Sequence, residues 1–177
     1  MKTGKSNSLF TIGHSTHTTE QFISLLKAHG IKQLIDIRTI PKSRHNPQFN
    51  KDELAKSIRN SGIGYRHMKN LGGLRRSKAD SINLGWINLS FRGFADYMAT
   101  EEFTQALNSL ANLAKNKRAA IMCAEALPWR CHRSLVADAL TKKKWKVFHI
   151  MSKKTASLHK VTPFLRIKKG RITYPQA

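Results

Sequence analysis

The sequence predicts a single α/β domain: a mainly parallel central sheet flanked by helices, with a small C-terminal hairpin. Three observations carry this. Apolar runs of strand length alternate with stretches of helical periodicity, the pattern of successive βαβ units. The helical stretches carry their own start and stop residues. No internal repeat and no Pro-, Gly- or Ser-rich linker divides the 177 residues, a length that suits one domain with a sizeable core. The domain is expected over residues 8–177, and the polar residues 1–7 are expected to be a flexible N-terminus.

The first strand is Ser8 to Gly13, ending in Gly13-His14-Ser15. Thr18 with Gln21 three residues on reads as a capping box for a helix that turns Phe22, Leu25 and Leu26 inward, with Gly30 as its C′ residue. Gln33 to Arg38 is the second strand, and a polar loop from Pro41 to Pro47 follows it. Asn50 with Glu53 reads as another capping box, opening a helix with Leu54 and Ile58 inward and Gly62 at its end. A short strand is expected around Ile63 to His67. Met68 to Ser90 shows no periodicity, and a loop that long inside a compact domain is usually functional or mobile. A helix from about Arg92 to Asn116, broken near Thr100, presents Phe103, Leu107, Leu110 and Leu113 as its buried stripe. Arg118 to Ala124 is the clearest core strand, Arg130 to Leu140 a helix, and Val147 to Met151 a further strand. Gly170 between two β-compatible runs marks a hairpin over Arg166 to Thr173.

Charge narrows the partners. Lys and Arg number 32 against 10 Asp and Glu, a net charge of +22. Such an excess works against the compact state by self-repulsion unless a polyanion or salt screens it. From Thr141 to Ala177 there are eleven cations, among them Lys153, Lys154, Arg166, Lys168, Lys169 and Arg171, and no carboxylate. One side of the molecule is therefore expected to carry a positive field of the kind that binds nucleic acid. Two cysteines argue against a disulfide framework and for a reducing compartment. No apolar run is long enough to span a bilayer, so a cytoplasmic protein without a membrane partner is expected.

In open α/β sheets, ligands bind outside the carboxyl ends of the strands. That edge collects His14 and Ser15, Asp36 and Arg38, Tyr65 and His67, and then Cys123, Glu125 and the run Pro128-Trp-Arg-Cys-His-Arg133 at a helix start. A helix N-terminus favours anions, so Arg130, His132 and Arg133 in a first turn run against the usual preference for acids there. Either an anion compensates them, which makes this a phosphate or nucleotide site, or Glu125, Asp36 and the arginines neutralise one another as a buried network. Within the site Glu125 is the carboxylate for acid–base or nucleophilic work, since a carboxylate beside a sugar acts as nucleophile or stabilises an oxocarbenium ion. His14, Asp36 and His132 are its catalytic companions. Ser15, Arg38, Arg44, Arg130 and Arg133, with the backbone at Gly72 and Gly73, are the phosphate-binding candidates. Arg75, Arg76, Trp86 and Arg92 join the C-terminal cations as candidates for contact with nucleic acid, the aromatics among Trp86 to Tyr97 being able to stack on bases or to form core.

Cys131 at a helix start among cations is expected to have a lowered thiol pKa. The spacing from Cys123 to Arg130 is one residue longer than the cysteine–arginine loop of thiol phosphatases, and Cys123 reads as a core residue. No Cys-x-x-Cys or His-Glu-x-x-His pattern is present, and the adjacent Cys131 and His132 are not expected to face one ion. No cofactor and no metal are assigned on these grounds, although His14, His67 and Cys131 could converge in space.

Thr11-Ile-Gly-His-Ser15, Phe91-Arg-Gly-Phe-Ala-Asp-Tyr-Met98 and Cys123-Ala-Glu with Cys131-His-Arg133 together resemble the domain-of-unknown-function family numbered 488. The resemblance extends to Asp36-Ile-Arg38, Leu71-Gly-Gly73 and Gly170-Arg-Ile-Thr-Tyr-Pro175. It implies an α/β fold and makes the Cys-x-Glu…Cys-His-Arg segment the natural site, but it implies no substrate. From the residues themselves the expected function is an enzyme acting on nucleic acid or a nucleotide, at a glycosidic or phosphodiester bond. A non-catalytic nucleic-acid-binding module and a thiol- or metal-dependent enzyme using Cys131 are the alternatives.

Overall fold

A computed structural model describes residues 7–177 of the chain, so the expectation for the N-terminus falls, Asn7 excepted, outside the described residues. Among the described residues eight strands and five helices follow one another, and all but one strand fall close to where the sequence predicts them. They are β1 (Ser8–Gly13), α1 (Thr19–Ala28), β2 (Gln33–Asp36), α2 (Lys51–Asn60), β3 (Gly64–His67), α3 (Leu89–Tyr97), α4 (Glu101–Asn116), β4 (Ala119–Cys123), α5 (Arg133–Lys142), β5 (Lys146–Ile150), β6 (Ala156–Leu158), β7 (Arg166–Lys168) and β8 (Arg171–Thr173). The central sheet has the order β3-β2-β4-β1-β5-β6. Its first five strands in the chain run parallel, and β6 lies antiparallel on β5.

Parallel strands with helices on both faces are buried on both sides, which is why β4 reads as a continuous apolar run and why even Gln33 and Asp36 of β2 are buried. Two cores result. On one face Phe10, Ile12, Leu34 and Met122 meet Phe22 and Leu26 of α1 and Leu54 and Ile58 of α2. On the other, Leu9, Ile35 and Ile121 meet Phe94 of α3, Leu107 and Leu110 of α4, and Leu135, Val136 and Leu140 of α5.

Local signals act largely as written. The Thr18 side chain accepts from the Gln21 amide and Gln21 returns the bond to the Thr18 amide. Thr100 accepts from the Phe103 amide, ending one helix and starting the next. The second capping box does not form. Asn50 holds the N-cap position, but its side chain accepts from the Ser43 amide and ties down the preceding loop instead. The helix expected from Arg130 begins only at Arg133, because Pro128 to Arg130 form a separate 3-10 turn. β6 was not foreseen: it is three residues long and no turn glycine marks it, as Gly170 marks the equally short β7 and β8.

The long segment before α3 is pinned in place. Buried Asp96 accepts from the Lys78 amide, the Ser81 hydroxyl and the Asn83 side chain. The Asn83 side chain in turn accepts from the Tyr174 amide.

The chain passes from β1 over β4 to reach β2, and from β4 over β1 to reach β5. Connections therefore leave β1 and β4 in opposite directions, the arrangement that opens a ligand crevice beyond the strand ends of such sheets.

Candidate functional site

The crevice beyond β1 and β4 is filled by the protein itself. The amides of His14 and Ser15 donate to the carbonyls of Cys123 and Ala124 at 2.9 Å each. A Cβ at Gly13 would collide with the Glu125 carbonyl oxygen, so only glycine lets the two loops touch. The open space lies one strand over, beyond β4 and β2. There a cavity of about 360 Å³ is lined by Arg38, Thr39, Ile40, Lys42, Gly73, Leu74, Asn88, Ser90, Phe91, Cys123, Ala124, Glu125, Arg130, Cys131 and His132. Its volume falls in the range of about 300–1,000 Å³ that takes small organic ligands.

Several residues expected to bind or react are consumed by structure. Asp36 is fully buried and accepts two bonds from the Arg38 guanidinium, at 2.9 and 2.7 Å, and one from the Tyr65 hydroxyl at 2.7 Å. That bond and burial raise the Tyr65 pKa, burial being the larger cause. Arg38 also donates to the Phe49 carbonyl, so although it borders the cavity most of its donors are spent. His67 closes the group on the Arg38 carbonyl. His14 stacks on Phe49 at 4.2 Å, and burial lowers its pKa to about 4. Its Nδ1 donates to the Ser15 carbonyl and its Nε2 faces Arg38. Asp36 and His14 are thus structural, and neither reaches the cavity; Ser15 and Arg44 do not line it either.

Arg133 is the sharpest correction. It is 1% exposed, and its guanidinium donates to the carbonyls of Glu125 and Ala126 and to the Thr11 hydroxyl. All three of its nitrogens are engaged and it does not line the cavity, so the buried arginine sets the path of the loop that presents Glu125 rather than meeting a phosphate. Beyond Thr11 runs a buried chain of bonds that the sequence did not reveal. Thr11 Oγ1 meets His149 Nδ1 at 2.6 Å, His149 Nε2 meets His159 Nδ1 at 2.9 Å, and His159 Nε2 donates to Asp138 at 2.7 Å. Burial lowers the pKa of His149 to about 3.

The glycines and aromatics are likewise reassigned. Gly72 packs against Thr39 and the Lys69 carbonyl, and a Cβ at Gly73 would lie 2.5 Å from the His132 ring, so these glycines admit protein atoms rather than a phosphate. Arg75 lies 3.6 Å over the Tyr97 ring and donates to the Gly72 carbonyl. Trp86 has one face on Phe91 and an edge on Phe164, both at 4.9 Å, and Arg92 donates to the Trp86 carbonyl. All three are thus held by protein contacts on at least one side, and none lines the cavity beyond β4. Arg76 remains exposed on the long loop.

The C-terminal cations do not form one face with the cavity. The cavity lies where α5 begins, whereas Lys142 ends that helix at the opposite edge and donates to the Gly170 carbonyl of the hairpin. Arg166, Lys168, Lys169 and Arg171 are exposed on this hairpin, far along the helix from the site. Lys153 and Lys154, just past β5, are exposed on the carboxyl edge.

What the structure brings together at the cavity is Glu125, Arg130, Cys123, Cys131 and His132, with Lys42 from the loop after β2. Glu125 is exposed, and its Oε1 accepts from the Leu127 amide at 3.2 Å, which holds the carboxylate near the loop. Lys42 and Arg130 are exposed and make no side-chain bond to protein among the described residues. Trp129, next to Arg130 in the chain, is 62% exposed and borders a separate cavity with Pro128, His149 and Phe164. Sequence reasoning passed over Lys42 and Trp129; the signal lay in a bulky aromatic flanked by Pro128 and Arg130, where no helical stripe accounts for it.

The two cysteines and His132 make a tight cluster. Their ligand atoms all lie within 4.8 Å of one another. His132 Nδ1 is 3.9 Å from Cys123 Sγ and 3.7 Å from Cys131 Sγ. The expectation that neighbours 131 and 132 face apart fails because the backbone changes conformation between them. Cys131 is extended (φ −133°, ψ 142°) and His132 is helical (φ −57°, ψ −16°). Cys123 is only half-buried and faces Cys131, so it is not simply core. The Cys131 thiol pKa is pushed well down, first by the bond from Cys123 and then by His132 and Arg133. Cys123 is pushed up correspondingly, as the partner that keeps its proton.

The family model described as domain of unknown function DUF488 matches residues 18–140. The chain belongs to this family. The DUF488 match takes in the whole of the cavity lining from Arg38 to His132. It begins after Thr11–Ser15 and ends before β5, the histidine chain's Asp138 lying inside it and His149 and His159 outside. Comparison with curated proteins and with solved structures gave no match.

Proposed function

We propose that the chain is an enzyme acting on nucleic acid or a nucleotide, at a glycosidic or phosphodiester bond, with Glu125 as the catalytic carboxylate. The observation that carries this reading is a single cavity bordered by one exposed carboxylate, Glu125, and two cations free of protein partners, Arg130 and Lys42. A phosphate held between the two cations leaves the sugar or ester bond facing the carboxylate. A carboxylate in that position serves as general base, or as nucleophile toward a sugar carbon. Exposed Trp129 borders the neighbouring cavity rather than this one and offers its aromatic face to a flanking base of an oligonucleotide.

The charge of the molecule supports the same class of substrate. Among the described residues, a carboxylate lies within 4 Å of a basic side chain at only two places, Asp36 beside Arg38 and Asp138 beside His159. Against 32 Lys and Arg, the surface cations are left to attract polyanions.

The test is a paired assay of wild type and Glu125→Gln on labelled single- and double-stranded oligonucleotides, including modified and damaged bases, and on free nucleotides. Product from wild type alone, with binding retained by the variant, is the expected result. Salt-sensitive binding without product from either chain would instead make this a binding module. A binding constant indifferent to salt would remove nucleic acid as the substrate, because each phosphate contact should contribute about 0.9 to the slope of log affinity on log salt.

A further inference from the structure

The reading above uses Glu125 and the cations and leaves the two thiols and His132 without a role. His132 is the informative member. Its Nε2 lies 3.0 Å from the Leu71 carbonyl and 3.3 Å from the Ile37 carbonyl. Two acceptors at one nitrogen require a proton there, so in the neutral ring it is Nδ1 that carries the lone pair. That nitrogen is aimed at two sulfur atoms, of which Cys131 Sγ also accepts from the Arg133 amide at 3.5 Å. An imidazole whose outer nitrogen is locked onto backbone carbonyls, with the inner one presented to soft atoms, has the outer-shell arrangement of a metal-ligating histidine.

We propose that Cys123 Sγ, Cys131 Sγ and His132 Nδ1 form a three-ligand site for a Zn²⁺-class divalent cation, with the fourth position open to the cavity. The dimensions agree. Zinc bonds of about 2.3 Å to sulfur and 2.0–2.1 Å to nitrogen, arranged tetrahedrally, put the nitrogen–sulfur edge at about 3.5 Å. Those edges in the protein are 3.7 and 3.9 Å, within a few tenths of an ångström of this value, and the sulfur–sulfur edge, within 4.8 Å, closes toward about 3.8 Å on an ion. Two thiolates and one neutral imidazole suit zinc and exclude the hard cations Mg²⁺ and Ca²⁺. Two thiolates also neutralise the ion, which matters in so basic a protein. Three protein ligands with the fourth side open is the coordination of catalytic rather than structural zinc. All three residues line the same cavity as Glu125, so a bound water would face the substrate space. The site rests on its own ligands and stands whether or not the substrate is a nucleotide.

The experiment is anaerobic titration of the reduced, chelator-treated full chain with Co²⁺, followed by Zn²⁺. One Co²⁺ per chain is expected, with the intense visible bands of tetrahedral cobalt and a thiolate charge-transfer band, both bleached by Zn²⁺. Cys131→Ser and His132→Asn should weaken binding by more than the roughly 10–100-fold that loss of an outer-shell partner costs. Because either variant can fail to fold, thiol titration of the wild type gives a second readout: Zn²⁺ should shield both thiols and a chelator should expose them. Weak octahedral cobalt bands without charge transfer, or thiols equally reactive with and without Zn²⁺, would overturn the site. A chain isolated with Cys123 and Cys131 joined as a disulfide, and silent to Co²⁺ after reduction, would overturn it as well. Neither readout involves a substrate, so loss of the metal site and loss of the nucleic-acid reading are separable.

Discussion

Two polar clusters sit side by side at the carboxyl edge of the sheet, and they differ in what their atoms are left to do. At the end of β2, Asp36, Arg38, Tyr65 and His67 satisfy one another, and His14 caps the group from the end of β1. At the end of β4, Glu125, Arg130 and the Cys123–Cys131–His132 trio border a cavity with donors, acceptors and lone pairs still available. The residue types are the same kinds of acid, base and cation. A closed network in a buried place is a fastening, because every group it contains is already in its lowest state. An incomplete network beside a cavity is a site, because something outside the chain must complete it.

Breaking the closed cluster should have the largest effect. Asp36→Ala leaves the Arg38 guanidinium buried without its counter-charge, and removing one partner of such a pair costs about 3–5 kcal/mol. Urea unfolding should show that loss, and it should exceed the effect of any single substitution at the open cluster. An Asp36→Ala chain as stable as wild type would mean that the pair is not the fastening described.

Glu125→Gln carries the opposite signature. Turnover should fall by roughly 10²- to 10⁴-fold, the usual worth of a positioned acid–base group. Stability should stay within about 0.5 kcal/mol, because the side chain is exposed and makes one backbone bond. A stability loss as large as that of Asp36→Ala would move Glu125 from the open cluster into the closed one.

Smaller effects are expected at the rim. Arg130→Ala should lower the slope of log affinity on log salt by about one, as loss of one phosphate contact does. Trp129→Ala should weaken single-strand binding by about 1–3 kcal/mol, the cost of losing one stacked base, with the salt slope unchanged. If both variants moved the slope equally, Trp129 would be acting through the position of Arg130 rather than by stacking.

These contrasts also explain what was legible in the sequence. Thr18 with Gln21, the break at Thr100 and the apolar run of β4 act over a few residues, and local pattern reads such signals directly. The cluster Cys-x-Glu…Cys-His-Arg was legible as a place, because topology brings strand ends together. Which residue faces the cavity was not legible. That depends on partners far along the chain: Arg133 is occupied by Thr11, and Trp86 by Phe164, while His132 is oriented by the carbonyls of Ile37 and Leu71. The pairing of Cys131 with His132 depends on one change of backbone conformation between neighbours, which no periodicity announces.

A final comparison concerns acid. His14 in the closed cluster and His149 in the buried chain have pKa values lowered to about 4 and about 3 from the usual 6.5. A depressed folded-state value means that the unfolded chain binds the proton more readily. Each histidine therefore contributes stability that is complete above about pH 6.5 and is lost as pH falls toward the folded value, by at most about 1.4 kcal/mol per pH unit. Melting temperature should decline between pH 6.5 and 4.5, a window above the range in which most carboxylates take up protons. His14→Gln should flatten that decline while leaving the cavity as it is. An unchanged slope in this variant would show that His14 accepts a proton without strain, and that the cluster around Asp36 and Arg38 is less closed than its hydrogen bonds imply.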